Sequence, residues 1–186
     1  MSSIKKIIVL GATGSIGTQT LDVVRKHPDK LEVIGLVAYS SKDKLNQLAQ
    51  EFNVENSILV KDYKSPDEAT KYIIELINNS DTEIVVNAIS GAIGLQASYA
   101  TLKANKRLAL ANKESLVVGG DLLMPISKNN LLPIDSEHGA IYQCLIGEEK
   151  SNIYKIHLTA SGGPFFGMTQ SDLEKVSSAE ALKHPT

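Results

Sequence analysis

The feature that most constrains the fold is an alternation of short, continuous apolar runs with longer amphipathic stretches. The runs predict six strands, at residues 7–10, 31–38, 57–60, 83–89, 107–111 and 131–134. The stretches at 17–26, 42–52, 65–79, 95–104 and 114–128 have helical spacing, and Pro125 predicts a kink near the end of the last one. Strands that are apolar throughout and separated by helices are typical of a parallel sheet covered on both faces. The pattern therefore predicts an α/β protein with a doubly wound, Rossmann-like sheet.

The pattern changes after Ser136. A short helix around residues 140–146 leads into a charged turn, and residues 153–159 alternate apolar and polar side chains, as a strand with one solvent-facing side does. We predict a first domain over residues 1–148 and the beginning of a second, catalytic domain over 149–186. Because the second segment has only about 40 residues, which is short for an independent domain, we expect the chain to be the amino-terminal part of a longer protein.

Composition narrows the range of partners and compartments. The net charge is −2, and the 19 basic residues are scattered, which argues against a nucleic-acid-binding surface. No apolar run approaches the length of a transmembrane helix, and the run at 7–10 is too short for a signal peptide. The single cysteine, Cys144, excludes an internal disulfide and fits a reducing compartment. We expect a soluble, cytoplasmic protein that does not bind membranes.

Three glycines follow the first predicted strand, in the segment GATGSIG. Gly11, Gly14 and Gly17 would allow a tight turn, close approach of the backbone to a pyrophosphate, and packing of the next helix on the strand. The amino terminus of that helix would present free N–H groups and a positive dipole end to the phosphates. Strand–glycine–helix turns also occur for structural reasons alone. The position of the GATGSIG turn in the first βα unit favours a dinucleotide site here.

The end of the second predicted strand bears on which dinucleotide binds. An NAD-selective site usually carries an acidic residue there, which binds the ribose hydroxyls. This chain has AYSSK, and its first acid is Asp43. The hydroxyls of Ser40 and Ser41 and the ammonium of Lys42 could serve a 2′-phosphate, which favours NADPH. A polar surface loop would have the same composition, so that alternative stays open.

Three further segments follow predicted strands, where an open α/β sheet places its chemistry. They are ANKES, PIDSEHGA and LTASGGPFF. In the second segment, Asp135 and Glu137 flank Ser136. If that segment is extended, both carboxylates point the same way and could hold one hard cation, Mg²⁺ or Mn²⁺. Solvated acidic residues of a surface loop would show the same pattern.

The other two segments also offer candidate groups. Lys113 could polarise a hydroxyl or a carbonyl. The simpler alternative is an ordinary helix start, with Asn112 as the cap and Glu114 complementing the helix dipole. Ser161 lies in a glycine-rich turn that could bind phosphate, although a plain turn uses the same residues.

Taken in order, GATGSIG, ANKES, PIDSEHGAIYQ, TASGGPF and ALKHP resemble the motifs of the 1-deoxy-D-xylulose 5-phosphate reductoisomerases. The resemblance runs from the first strand to the last residues. It implies an oxidoreductase and isomerase that uses NADPH and Mg²⁺ or Mn²⁺ to convert that phosphorylated sugar to 2-C-methyl-D-erythritol 4-phosphate, in isoprenoid biosynthesis. It also implies a homodimer at full length.

The resemblance implies roles for individual residues as well. Contacts to the NADPH phosphates are matched by Thr13, Gly14, Ser15 and Ile16, and the nicotinamide side by Asn112 and Glu114. Two of three metal carboxylates are matched by Asp135 and Glu137. Substrate contacts are matched by Lys113, Ser136, Ser161 and His184. His184 corresponds to a histidine on a mobile loop. Family members commonly carry a glycine, a basic residue and an asparagine after the second strand, where this chain has Tyr39, Ser40 and Ser41. Lys42 is the expected substitute for the basic residue.

Two alternatives accompany the reductoisomerase interpretation. The family's third metal carboxylate and most of its phosphate clamp lie beyond Thr186, so we expect the isolated chain to be inactive and to act at most as an NADPH-binding module. Another NADP-dependent dehydrogenase or epimerase would explain the glycine turn. It would leave the D-S-E-H and S-G-G-P segments without a purpose.

Overall fold

The computed structural model describes residues 3–91, 93–157 and 163–183. The chain divides into two compact units, residues 1–146 and 147–186. Among the described residues, no helix combines the length and apolar character needed to cross a membrane.

The first unit is built on a parallel sheet of six strands, as the alternating pattern predicts. Every pairing between neighbouring strands is parallel. The strands are β1 (Lys5–Leu10), β2 (Leu31–Ala38), β3 (Asn56–Leu59), β4 (Ile84–Asn87), β5 (Arg107–Leu110) and β6 (Leu131–Pro133). Their order in the sheet is β3-β2-β1-β4-β5-β6. The chain therefore winds outward from β1 in one direction and then, after β3, in the other.

Six helices of the first unit connect and cover these strands. They are α1 (Ser15–Lys26), α2 (Lys42–Glu51), α3 (Pro66–Asn79), α4 (Ile93–Lys103), α5 (Lys113–Ser127) and α6 (Ser136–Leu145). Helix α3 begins as its sequence predicts: Ser65 accepts a hydrogen bond from the Glu68 N–H, and Pro66 occupies the first turn.

Alternate residues of β1 enter different cores. Ile7 and Val9 pack with residues of α1 and α2, including Leu21 and Leu45. Ile8 and Leu10 pack in a second core with residues of α3, including Ile73. Because a strand projects successive side chains to opposite faces, helices α1 and α2 cover one face of the sheet and α3 covers the other. Both faces are buried, which is why β1 is apolar at every position from Ile7 to Leu10.

Helix α5 bends at a different position from the one predicted. Its non-helical backbone lies at Gly119, with φ −127° and ψ 21°, and not at Pro125. Gly119 has no side chain and lies against Leu95: a Cβ there would come within 2.4 Å of the Leu95 side chain. Close packing against α4 therefore coincides with the bend, while Pro125 stays within the last helical turns.

The second unit contains short elements. Two 3₁₀ turns (Lys150–Asn152 and Gly163–Phe165) and two four-residue helices, α7 (Gln170–Leu173) and α8 (Ser178–Ala181), make up its regular structure within the described ranges. Both helices start with a capping box, in which Thr169 pairs with Asp172 and Ser177 with Glu180.

The strand predicted over residues 153–159 was wrong in its described part. Residues 153–157 have no regular secondary structure, and residues 158 and 159 lie outside the described ranges. An alternating pattern reports which side of a segment is apolar, but a strand also needs a hydrogen-bonding neighbour. None of the described strands pairs with this segment.

Candidate nucleotide site and acid–lysine cluster

The glycine turn between β1 and α1 is packed so tightly that two of its residues must be glycine. Gly11 has φ +82°, and a Cβ on it would lie 2.5 Å from the Ala88 carbonyl oxygen. A Cβ on Gly17 would lie 2.2 Å from the Gly11 carbonyl oxygen. The turn therefore brings the start of α1 directly against the end of β1, with no side chain between them.

The start of α1 is suited to an anion. Its cap residue is Gly14, and its first turn contains no acidic side chain. The first N–H groups of a helix have no partner within the helix, and the helix dipole places positive charge there. Ser15 and Ile16, which the family resemblance matches to contacts with the cofactor phosphates, lie at this first turn.

The loop after β4 forms the opposite wall of a cleft beside the turn. Because β4 lies next to β1, the two loops meet at the point where the strand order reverses, which is where open α/β sheets bind ligands. The cleft has a volume of about 430 Å³. It is lined by Gly11, Thr13, Gly14, Val37, Ala38, Tyr39, Val60, Ala88, Ile89, Ser90 and Ile93.

Sequence reasoning missed the 88–90 wall. The available signal was topological. In a sheet of this order the loop after the fourth strand faces the loop after the first, so the segment NAISG is expected to line the same site as GATGSIG.

A second, smaller cleft lies next to the first and shares this wall. Its volume is about 220 Å³, and its lining consists of Ile16, Ala88, Ile89, Ser90, Ala111, Asn112, Lys113 and Glu114. The structure thus brings four predicted site residues to one place: Ile16 from the glycine turn, and Asn112, Lys113 and Glu114 from the start of α5.

A buried asparagine network holds these loops together. Asn112 caps α5 by accepting a hydrogen bond of 2.8 Å from the Ser115 N–H, and its side-chain N–H groups donate to the carbonyls of Ile89 (2.5 Å) and Gly91 (2.8 Å). Asn87, fully buried, donates to the Gly94 carbonyl and the Ser98 hydroxyl, both at 2.8 Å. The capping alternative for Asn112 is thus observed, and it fixes the wall of both clefts.

The hydroxyls and lysines expected at the end of β2 are present, but the lysine that contacts the glycine turn is not the expected one. Ser41 is the cap residue of α2, but its side chain makes no capping hydrogen bond. The Lys42 ammonium lies 3.4 Å from Asp62, so it is paired with a carboxylate. Lys44, which the sequence did not single out, donates to the Thr13 carbonyl at 3.0 Å. A lysine two residues beyond the expected one therefore reaches the glycine turn.

Lys113, Asp135 and Glu137 form an acid–lysine cluster at the ends of β5 and β6. The Lys113 ammonium lies 3.1 Å from a carboxylate oxygen of Asp135 and 3.8 Å from one of Glu137. Hydrogen bonding to Asp135, followed by the charges of both carboxylates, raises the pKa of Lys113. Burial raises the pKa of Asp135, but hydrogen bonding to Lys113 and its positive charge, with contributions from Glu137 and the His138 backbone, together hold the pKa below its usual value.

The extended conformation assumed for the D-S-E segment was wrong. Helix α6 begins at Ser136, with Asp135 as its cap residue, so Glu137 belongs to the first helical turn. A strand-to-helix turn therefore places both acids near the same lysine. The two-residue alternation of an extended chain does not. The Ser136 hydroxyl donates to Glu137 at 3.0 Å.

One atom of the cluster is suited to a cation. Oδ2 of Asp135 is buried and receives no hydrogen bond from any group in the described part of the chain; the Nδ1 atom of His138 lies 3.6 Å from it. A buried carboxylate oxygen without a partner is costly unless something binds it. The donor set is oxygen-only and therefore fits Mg²⁺ or Mn²⁺.

The cluster is incomplete as a metal site within residues 3–91, 93–157 and 163–183. No group of three or more His, Cys, Asp or Glu side chains among them is arranged to hold a metal ion. Ser161 and His184, the other predicted substrate contacts, lie outside the described residues.

Comparison with known families agrees with the ordered motifs. Residues 7–120 match the family model described as 1-deoxy-D-xylulose 5-phosphate reductoisomerase, and residues 131–186 match the model of its C-terminal domain. The chain belongs to the 1-deoxy-D-xylulose 5-phosphate reductoisomerase family. The first of these matches covers the nucleotide turn and both clefts, and the second begins at β6.

Individual reductoisomerases show the same relationship over nearly the whole chain. The enzyme of Thermoanaerobacter sp. (strain X514) is 42% identical in an alignment 196 positions long, which covers 97% of this chain and 51% of the relative. The chain therefore spans about half the length of the curated relatives that it matches.

Two solved reductoisomerase structures have the same fold. The enzyme of Zymomonas mobilis, in complex with NADPH, superposes with a TM-score of 0.77 at 33% identity, over 96% of this chain and 51% of that one. A reductoisomerase in complex with NADPH, fosmidomycin and magnesium gives a TM-score of 0.73 at 36% identity, over 98% and 51%.

Proposed function

We propose that the chain provides the nucleotide-binding domain, two metal carboxylates and part of the substrate site of an NADPH- and divalent-metal-dependent reductoisomerase. The proposed reaction converts 1-deoxy-D-xylulose 5-phosphate to 2-C-methyl-D-erythritol 4-phosphate. One observation carries the proposal: two adjoining clefts at the switch point of the sheet collect the glycine turn and the Asn112–Glu114 segment. Lys113 of that segment lies against Asp135 and Glu137.

The nucleotide part of the proposal follows from the two clefts. The first turn of α1 receives the pyrophosphate, because its free N–H groups and dipole favour an anion and no acid competes there. The smaller cleft, with Asn112 and Glu114, receives the nicotinamide. When bound, NADPH supplies the hydride; the chain's contribution is to orient it and to exclude water.

The metal part follows from the acid–lysine cluster. Asp135 and Glu137 are the proposed ligands, supported by the buried, unpartnered Oδ2 of Asp135. A bound Mg²⁺ or Mn²⁺ would act as a Lewis acid toward the substrate oxygens. Lys113 balances the charge of the two carboxylates, and we assign it, with Ser136, Ser161 and His184, to substrate contacts.

Three further properties belong to the same proposal. The full-length protein is a homodimer, it works in the cytoplasm, and its product enters isoprenoid biosynthesis. An apolar surface on helix α5 supports association with another chain or segment, because Val117 is 83% exposed and Val118 is 67% exposed. Light scattering of the full-length protein measures the dimer directly.

The 186-residue chain, tested alone, is expected to bind NADPH without turnover. Its described residues contain no group of three His, Cys, Asp or Glu side chains arranged to hold a metal ion. Two carboxylates leave most of the coordination of a hard cation to water, which gives a weak metal site. This observation favours a nucleotide-binding module as the second candidate function of the isolated chain.

Titration of the purified chain with NADPH and, separately, NADH tests the proposal, with nucleotide fluorescence as the readout. We expect saturable NADPH binding and weaker NADH binding. Absence of binding by both nucleotides would reject the nucleotide part. Sustained, metal-dependent oxidation of NADPH on adding 1-deoxy-D-xylulose 5-phosphate would reject the expectation that the isolated chain is inactive, while supporting the proposed reaction.

A further inference from the structure

Resting on the proposed NADPH site, we infer that Lys44 is the cation that distinguishes NADPH from NADH, together with the hydroxyls of Ser40 and Ser41 at the end of β2. The starting observation is the hydrogen bond of 3.0 Å from the Lys44 ammonium to the Thr13 carbonyl. Thr13 belongs to the glycine turn and lines the larger cleft. Lys44 thus ties the beginning of α2 to the turn at which the phosphates are proposed to bind.

The place of this contact in the fold identifies the ligand group. In a doubly wound nucleotide domain, the adenosine ribose lies between the glycine turn and the end of the second strand, where an acid binds the 2′-hydroxyl or a basic residue binds the 2′-phosphate. Strands β1 and β2 are neighbours here. Lys44 connects these two segments, and the end of β2 carries Tyr39, Ser40 and Ser41 with no acid among them.

The remaining donors of Lys44 are free to bind an anion. An ammonium has three N–H donors, and the Thr13 carbonyl uses one. In the part of the chain that the structure describes, no carboxylate lies within 4.0 Å of this ammonium. The Ser41 side chain is also uncommitted, because it makes no capping hydrogen bond at the start of α2.

Two other lysines lie near the end of β2 and fit the role less well. Lys42 is paired with Asp62 at 3.4 Å, so a phosphate would compete with a carboxylate for it. The Lys61 ammonium lies 5.8 Å from the centre of the Tyr39 ring, and within the described residues it makes no hydrogen bond to the glycine turn. Of these three lysines, Lys44 is the one whose ammonium donates to the glycine turn in the described part of the chain.

The test compares the NADPH and NADH dissociation constants of the 186-residue chain and its variants. Lys44→Ala is expected to weaken NADPH binding about tenfold, the effect of removing one charged hydrogen bond, with a much smaller effect on NADH. Lys44→Arg is expected to retain the preference, because it keeps the charge. Lys44→Gln keeps a donor for Thr13 without the charge and is expected to lose the preference. Lys42→Ala and Lys61→Ala are the matched controls and are expected to keep it.

Adenosine 2′,5′-bisphosphate, tested as a competitor against adenosine 5′-monophosphate, isolates the 2′-phosphate from the rest of the cofactor. Its advantage over the monophosphate is expected to disappear in Lys44→Ala and Lys44→Gln. An unchanged NADPH preference in both variants, an equal loss for both dinucleotides, or a preference lost in Lys42→Ala or Lys61→Ala instead would each overturn the assignment to Lys44. Failure of the unmodified chain to bind either dinucleotide would instead reject the proposed function, and the assignment with it.

Discussion

The nucleotide site and the acid–lysine cluster lie at two ends of the same edge of the sheet, and they differ in how well their groups are packed and hydrogen-bonded. Beside β1 and β4, the glycine turn packs backbone against backbone. The side chains of the asparagine network tie the neighbouring loops together, and Asn112 is only 3% exposed. At β5 and β6, the Lys113 side chain is 53% exposed and that of Glu137 is 72% exposed, while Asp135 retains a buried oxygen without a hydrogen bond.

This difference shows which part of the site the chain can form by itself. The nucleotide end is held by steric fit and by satisfied hydrogen bonds, which exist before any ligand binds. The acid–lysine end is held by partly exposed charges, which solvent screens, and by an acceptor that still needs a partner. Substitutions at the first end should therefore change stability and nucleotide binding together, and substitutions at the second should change ligand binding with little cost in stability.

The largest effect is expected for Gly17→Ala. The new Cβ would lie 2.2 Å from the Gly11 carbonyl oxygen, so the turn must move. We expect a loss of about 3 kcal/mol in the free energy of unfolding, as for overpacking of a tight core, together with loss of NADPH binding. Urea unfolding and NADPH titration measure the two effects.

Gly120→Ala is the matched control for this glycine. It is also a helical glycine, but a Cβ there meets no atom within 4 Å. We expect it to stabilise the protein by about 0.5–1 kcal/mol through helix propensity. Equal effects of the two substitutions would contradict the steric account of the turn.

A smaller effect is expected for Asn112→Ala. The change leaves the Ser115 N–H without its cap and the Ile89 and Gly91 carbonyls without their donor. We expect a loss of about 2–3 kcal/mol and weaker NADPH binding, because the common wall of both clefts loses its anchor. Thermal and urea unfolding, with nucleotide titration, measure both.

Asn112→Asp separates capping from anchoring. An aspartate caps a helix as well as an asparagine does, but it cannot donate to two carbonyls. Most of the loss should therefore persist in this variant. Recovery of full stability would show that only the cap matters. Asn46→Ala, at an exposed position of α2, serves as the control and should leave stability almost unchanged.

The smallest change in stability is expected for Lys113→Met. Its ion pairs with Asp135 and Glu137 involve a half-exposed ammonium, so we expect less than about 1 kcal/mol by urea unfolding. A loss as large as that of Gly17→Ala would break the distinction between the two ends.

Local patterns predicted most of the first unit. The mainly apolar run at 31–38 has the same bounds as β2, and the Ser65-Pro66 pair marks the start of α3. These signals depend on burial and capping within a few residues, so the sequence carries them directly. The errors concern features that depend on distant neighbours: the bend at Gly119 depends on Leu95, and residues 153–157 have no described strand beside them.

The candidate site was predicted unevenly for the same reason. Motifs identified Asn112, Lys113, Asp135 and Glu137, but the geometry assumed for the two acids was wrong, since α6 begins between them at Ser136. Lys44 has no motif that marks it, and the expected substitute, Lys42, is paired with Asp62. The roles of the site residues in binding and catalysis stay predictions.

The sequence by itself determined the α/β class, the order of strands and helices, and the glycine turn at the end of β1, because periodicity and the steric need for glycine act over short distances. Only the tertiary structure decided that the 88–90 loop faces that turn, that Lys44 reaches Thr13, and that Lys113 lies between two carboxylates. These contacts join segments that are far apart along the chain. They depend on the order in which the strands pair and on which helix covers which face of the sheet.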